Sequence, residues 1–186
     1  VGFVTDRATR ALAYESNRLL GGDVVLRSDT PINASLRLLT DDARLRRSEV
    51  WSFNSMVRAG ENLRLADVRA LGLDYPLRGS YRLRDAGGNE RTHQGAPEPG
   101  TVWLSRAGAE ALGVAIGDTI ALGSSTLNLS ALVLEEPDAV LDYFNTAPKV
   151  FVALTDLPAT ELVQPGARIT YRLVAAGDAA AVTDLT

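Results

Sequence analysis

The chain has no cysteine and one histidine, His93. The first absence removes disulfides, thiolate nucleophiles and the common structural zinc sites together. The second leaves any Ser-His pair or histidine-based metal site to His93 alone. That residue lies in a Gly/Pro/Gln-rich stretch and reads as a solvent-exposed loop position. Basic residues number 19 against 23 acidic, for a formal net charge of -4, so no cationic excess exists to neutralise a phosphate backbone and no nucleic-acid partner is expected. No run approaches the roughly 18 to 20 apolar residues that cross a bilayer. A Gly-x-Ser-x-Gly elbow, a P-loop and a dinucleotide fingerprint are also missing, so nucleophilic and nucleotide chemistry lack their usual anchors. No metal or cofactor is expected.

What is present is a chain of 186 residues, 46% apolar, long enough to bury a real core. From Thr5 to Leu20, apolar residues recur at three- and four-residue spacings, which predicts a helix ended by Gly21-Gly22 and followed by a strand from Asp23 to Arg27. Pro31, after Ser28-Asp29-Thr30, predicts a second helix to about Arg47, with Arg44, Arg46 and Arg47 beside Asp41 and Asp42 on its wet face or last turn. The period then changes to two. Strands are expected on either side of a hairpin turn at Ala59-Gly60-Glu61-Asn62.

Farther along, Thr101 to Leu104 reads as a strand, Ser105 as the cap of a helix ending at Leu112, and Gly113 as its stop. Gly117-Asp118 stands at the turn into a strand over Thr119 to Leu122, where Asp118 accepts backbone hydrogen bonds rather than reacting with a substrate. Strands are expected over Leu127 to Leu134, Lys149 to Leu154 and Arg168 to Ala175, with a short helical turn from Asp156 to Leu162 and a helix after Gly177-Asp178. This order predicts an α+β fold. An α/β lobe made from both chain ends, residues 1–49 and 146–186, encloses an inserted β-rich lobe, residues 50–145.

The acidic residues Glu135, Glu136, Asp138 and Asp142 gather after one strand and match no calcium loop. Acid-base work by Glu135, Glu136 or Asp142 in a cleft between lobes defines one alternative, a secreted or cytosolic small-molecule hydrolase. A free-standing binding module is another. The default place for a ligand is a groove between the lobes.

The series "YPLRG", "GDTIALG", "EEPD" and "DLPATELVQPGARITYRL", in that order, resembles the extracytoplasmic core domain of bacterial ABC transporter permeases of the FtsX-like, MacB-like superfamily, and within it the predicted-permease branch called YbbP. The resemblance spans essentially the whole chain. It implies a MacB-like periplasmic core, a large loop between the first and second membrane helices of a cytoplasmic-membrane protein, with Val1 to Val4 as the last turn of the first span. It also implies a porter-like lobe, a separate cytoplasmic ABC ATPase as partner through the membrane helices, a periplasmic partner or cargo, and pairing of full-length subunits. No catalytic residue is implied. Tyr75, Pro76, Leu77, Arg78 and Gly79, with Gly117 and Asp118, are expected to fix turns of the inserted lobe, and Glu136, Pro137 and Asp138 to mark the return to the first lobe.

Overall fold

Alternating apolar residues dominate the middle of the chain, and the computed structural model turns them into one continuous sheet. It describes residues 13–15, 21–34, 37, 41–137 and 147–183. The strands are β1 (Ala13–Glu15), β2 (Val24–Ser28), β3 (Leu45–Ala59), β4 (Asn62–Leu71), β5 (Tyr81–Arg84), β6 (Glu90–His93), β7 (Thr101–Ser105), β8 (Thr119–Leu122), β9 (Ser125–Glu135), β10 (Lys149–Ala153) and β11 (Thr170–Gly177). Short helices among the described residues include α1 (Arg106–Leu112), α2 (Leu157–Thr160) and α3 (Ala179–Thr183), and Ala34 and Arg37 are helical as well. The strand order is β1-β2-β11-β3-β4-β10-β7-β9-β5-β6, with β8 bridging β3 and β9.

That bridge closes a ring. Going round, β3 pairs with β4, β4 with β10, β10 with β7, β7 with β9, β9 with β8, and β8 returns to β3 through Val57↔Leu122. Because successive side chains point to opposite faces, one residue in two lines the interior. Ala66, Val68, Val102, Leu104, Val150 and Val152 fill it with Val57, Ile120, Leu122 and Leu129, all 0–1% exposed. Each such Val or Leu contributes about 1.5–3 kcal/mol relative to exposure.

The 15-residue β3 is common to the ring and to an open sheet. Its first half pairs with β11, from Leu45↔Gly177 to Ser52↔Thr170, and β11 pairs in turn with β2. The opposite face of the sheet carries a second core, in which Tyr81 lies 5.5 Å from Trp103 and 5.7 Å from Phe151, ring centroid to centroid. β10 feeds both cores, with Val150 and Val152 on one side and Phe151 on the other, each 0% exposed.

Several local expectations hold. The Ser105 side chain accepts from Gly108 N–H, and Gly113 ends α1 in the left-handed conformation at φ 68°. Asp178 Oδ1 caps α3 by accepting from Ala181 N–H at 2.8 Å. The hairpin pairs Ala59 with Asn62 around Gly60-Glu61.

Others are corrected. In place of helix, Ala13–Glu15 form β1 against β2, and the remainder of that expected helix lies outside the described residues. Backbone pairing along the side of β2 overrides the helical period there. The second helix does not reach Arg47: Asp42 C=O accepts from Leu45 N–H, Asp42 Oδ1 accepts from Arg44 N–H, and Leu45 already belongs to β3. His93 is the last residue of β6, half-buried, with its ring centroid 5.2 Å from that of Trp103 and the two planes near perpendicular, so it is not a solvent-exposed loop residue.

Candidate functional site

Two of the sequence motifs meet in space. A Cβ placed on Gly79 would stand 3.2 Å from Pro137 Cβ, so the "YPLRG" turn packs against the "EEPD" turn where only a glycine fits without displacement. Gly79 is at φ 75°, a left-handed conformation that suits glycine.

The first motif is a clamp. Tyr75 and Leu77 are buried in the second core, and the Tyr75–Pro76 peptide is cis. Leu77 and Arg78 N–H both donate to Gly21 C=O, at 2.8 and 2.9 Å. The Arg78 guanidinium grips Asp23 bidentately, with Nη2 2.8 Å from Oδ2, and also donates to Gly177 C=O at 3.0 Å. Asp23 Oδ2 accepts from Gly177 N–H as well. Hydrogen bonding to Asp23 raises the Arg78 pKa further above its ordinary value. A loop leaving β4 is thereby tied to the start of β2 and the end of β11.

The second motif ends on a nearly buried ionic cluster. Glu136 Oε1 accepts from Lys149 Nζ at 2.6 Å and Oε2 from Arg69 Nη1 at 2.8 Å, while Arg69 Nε also reaches Asp67 Oδ2 at 3.4 Å. Side-chain exposures are 8% for Lys149 and 11% for both Arg69 and Glu136. The parallel register Lys149↔Asp67 sets this arrangement, since it stacks β10's first residue beside the acidic and basic residues of β4. Two cations and two carboxylates balance, which is how buried charge is tolerated. Both Glu136 oxygens are thus engaged. Glu135 is held by Arg82 at 2.6 Å, and Asp138 and Asp142 lie outside the described residues.

Gly117 and Asp118 build a turn. Asp118 Oδ2 accepts from Ala115 N–H at 2.8 Å, three residues back rather than two on, and Gly117 N–H and Asp118 C=O both bond Leu129 across the strand start. The geometry is that of a strand support at the rim of a solvent-open cleft. His93 is held below the usual histidine range, first by burial and then by the Arg91 charge. Among the described residues, no group of three or more His, Asp or Glu is arranged to hold a metal ion, and no helix is long and apolar enough to cross a membrane.

Among the described residues, the solvent-open clefts include two of several hundred Å³. One, of about 510 Å³, lies against β3 and β11 near Ala34 and Leu173, and its charges are self-paired as Arg37–Glu49 at 2.8 Å and Arg47–Asp41 at 3.0 Å. The other, of about 750 Å³, has Ala109, Val114, Ile116 and Leu132 among its lining, with Arg84 and Arg106. Neither is lined by residues from both expected lobes, so neither is the groove that general pocket geometry suggested. Sequence reasoning did not single out Arg69, Asp67 or Asp23. Only Lys149 carried a signal, as the one lysine in an arginine-rich chain.

No family model matches the chain. Over 172 residues, 92% of the chain, it is 30% identical to the uncharacterized ABC transporter permease YbbP of Escherichia coli (strain K12), and it spans 20% of that protein's length. In fold it is similar to the extracellular domain of the noncanonic ABC-type transporter YknZ from Gram-positive bacteria, with a TM-score of 0.53 at 12% identity over 80% of this chain and 74% of that one. It is likewise similar to the periplasmic region of MacB from Actinobacillus actinomycetemcomitans, with a TM-score of 0.52 at 13% identity over 100% and 77% of the two chains. By sequence the chain matches one part of an ABC transporter permease, and its fold is that of the MacB periplasmic region and the YknZ extracellular domain.

Proposed function

We propose that this chain is the periplasmic domain of a non-enzymatic ABC transporter permease subunit, set between the first and second membrane helices of a cytoplasmic-membrane protein. It serves export, or transmission of movement, for lipophilic, lipoprotein or peptide cargo. A separate cytoplasmic ATPase supplies the energy, and the subunits pair in the full complex. The observation that carries this reading is the sequence match to a permease over 92% of the chain. The build of the sheet supports a mechanical role: β3 runs unbroken from the strands beside the Arg78 clamp into the closed ring, so displacement at one end is carried by continuous backbone hydrogen bonding to the other. The turns at Tyr75–Gly79, Gly117-Asp118 and Glu136-Pro137 act as the joints that keep these parts in register. The hydrolase alternative has no observation in its favour, since both Glu136 oxygens are taken by cations.

The test uses the absence of cysteine. Thr126 is exposed on β9, and Thr126→Cys in the full-length parent puts a reporter thiol on the domain. A membrane-impermeant maleimide labels it in intact spheroplasts on this reading, above the level of the parent without the substitution. Labelling that appears only after lysis overturns the reading.

A further inference from the structure

The cleft of about 750 Å³ beside α1 has a floor that belongs to the ring core. Val114, Ile116 and Leu132 pack against that core while part of each side chain stays open to water, and the buried Ala109 completes the apolar lining. The surface is held in place from both ends of α1. Ser105 and Gly113 cap the helix, Val114 N–H donates to Ala109 C=O at 3.1 Å, and Asp118 Oδ2 fixes Ala115 N–H at 2.8 Å. The β5–β6 turn, which brings Ala86 to the cleft, is closed by Asp85 Oδ1 accepting from Asn89 N–H at 3.0 Å. A preformed apolar floor binds without the cost of ordering it.

The charges around this floor are divided by sign. Arg84 and Arg106 line it together with Glu110 and Asp118. On the β5 side, Arg84 holds Glu90 at 2.7 Å and Arg82 holds Glu135 at 2.6 Å. Glu90 is kept below the usual carboxylate range first by the hydrogen bond from Arg84, and the charges of Arg82 and Arg106 add to it. Three guanidinium groups therefore meet two carboxylates, and the cation in excess is Arg106. One helical turn on, the exposed Glu110 has no ion-pair partner among the described residues, and the Asp118 carboxylate meets a backbone N–H alone. A ligand carrying one sign of charge would face a like charge at one end of the cleft.

We propose that this cleft binds an extended peptide segment of a partner protein, in which a large apolar residue has an acidic residue two positions to one side and a basic residue two positions to the other. Alternate residues of an extended segment share a face, so all three side chains enter the cleft, spread over about 13 Å. The stretch of α1 from Arg106 to Gly113 covers about 10 Å, which flexible charged side chains can match. The apolar side chain rests on Val114, Ile116 and Leu132, the acid meets Arg106, and the base meets Glu110 and Asp118. A zwitterionic phospholipid is a poorer occupant, because its two charges sit together in one headgroup instead of flanking an apolar group. This inference does not depend on the permease reading.

The probe is the capped pentapeptide Glu-Ser-Leu-Ser-Lys, titrated into the isotopically labelled chain and followed by amide chemical shifts. Saturable shifts are expected at Ala109, Val114, Ile116 and Leu132, with a Kd of about 1 mM or below. Replacing the leucine of the probe by serine is expected to weaken binding about tenfold. Arg106→Glu and Glu110→Lys, both at exposed positions, are each expected to weaken it about fivefold. Arg106→Glu also leaves the cleft acidic and is expected to reverse the preference, so that Lys-Ser-Leu-Ser-Lys binds better than the original probe. The proposal is overturned if shifts are absent at about 5 mM peptide. It is equally overturned if Glu-Ser-Leu-Ser-Glu and Lys-Ser-Leu-Ser-Lys bind the unaltered chain as well as the mixed probe does, or if a short-chain phosphatidylethanolamine shifts these amides and the peptide does not.

Discussion

At the scale of single residues, Glu136 and His93 illustrate how burial converts ordinary side chains into constraints. Glu136 neutralises Arg69 and Lys149 in surroundings where all three side chains are about nine-tenths buried. Glu136→Gln keeps the shape and removes the charge, leaving two cations against Asp67 alone. A loss of about 3 kcal/mol in unfolding free energy is expected from denaturant titration, in line with breaking a buried pair. A loss under about 1 kcal/mol would mean that the cations swing out to water, as in exposed pairs. For His93, burial and the Arg91 charge disfavour the imidazolium in the folded chain. Between its lowered value and the ordinary one of about 6.5, the unfolded chain binds more protons than the folded one. Stability therefore falls as pH falls through that window, and it levels off once the folded imidazole also protonates. His93→Gln is expected to flatten this part of the profile, measured as urea midpoints between about pH 7.5 and about pH 5.

At the scale of elements, the legible parts were those whose signals are local. Ser105 and Gly113 bracket α1 because capping and left-handed termination need only the residues involved. Ser105 has a second task that its sequence position did not reveal: its Oγ also accepts from Lys149 N–H at 3.1 Å, joining α1 to the start of β10. Ser105→Ala therefore deletes an acceptor for two buried-side donors, and a loss of about 2 kcal/mol is expected by thermal denaturation, against about 1 kcal/mol for an ordinary cap. The strand β9 shows the limit of periodicity. Leu127 and Leu129 face the ring interior, whereas Ala131 and Val133 face the other core, because the pairing with β7 shifts between Val102↔Leu129 and Trp103↔Ala131. An extra residue at Ser130 reverses the phase, and no alternation of apolar letters announces that. The misjudged helical stretch over Ala13–Glu15 has a similar origin, since backbone pairing with β2 lies outside any local pattern.

At the scale of the whole molecule, the shared strand β3 makes cooperative unfolding the expected behaviour. The two tryptophans report on different regions: Trp51 stacks edge-on against Tyr171 of β11 at 4.9 Å, and Trp103 lies in the second core beside Tyr81. Variants keeping one tryptophan each, Trp103→Phe and Trp51→Phe, are expected to give fluorescence midpoints in urea that each coincide with that variant's loss of β-sheet circular dichroism. Separate midpoints would show that the closed ring and the open sheet melt independently.

The sequence by itself determined the α+β class, most strand positions, the caps of α1 and α3, and the resemblance to MacB-like permease domains, because these rest on side-chain period, turn chemistry and motif order along the chain. Only the tertiary structure decided the closure of the ring through β8, the double role of β10, the meeting of Gly79 with Pro137 and the neutral cluster around Glu136. Each of these depends on the register between strands distant in sequence. Register is set by the joint packing of both cores, which no single segment encodes.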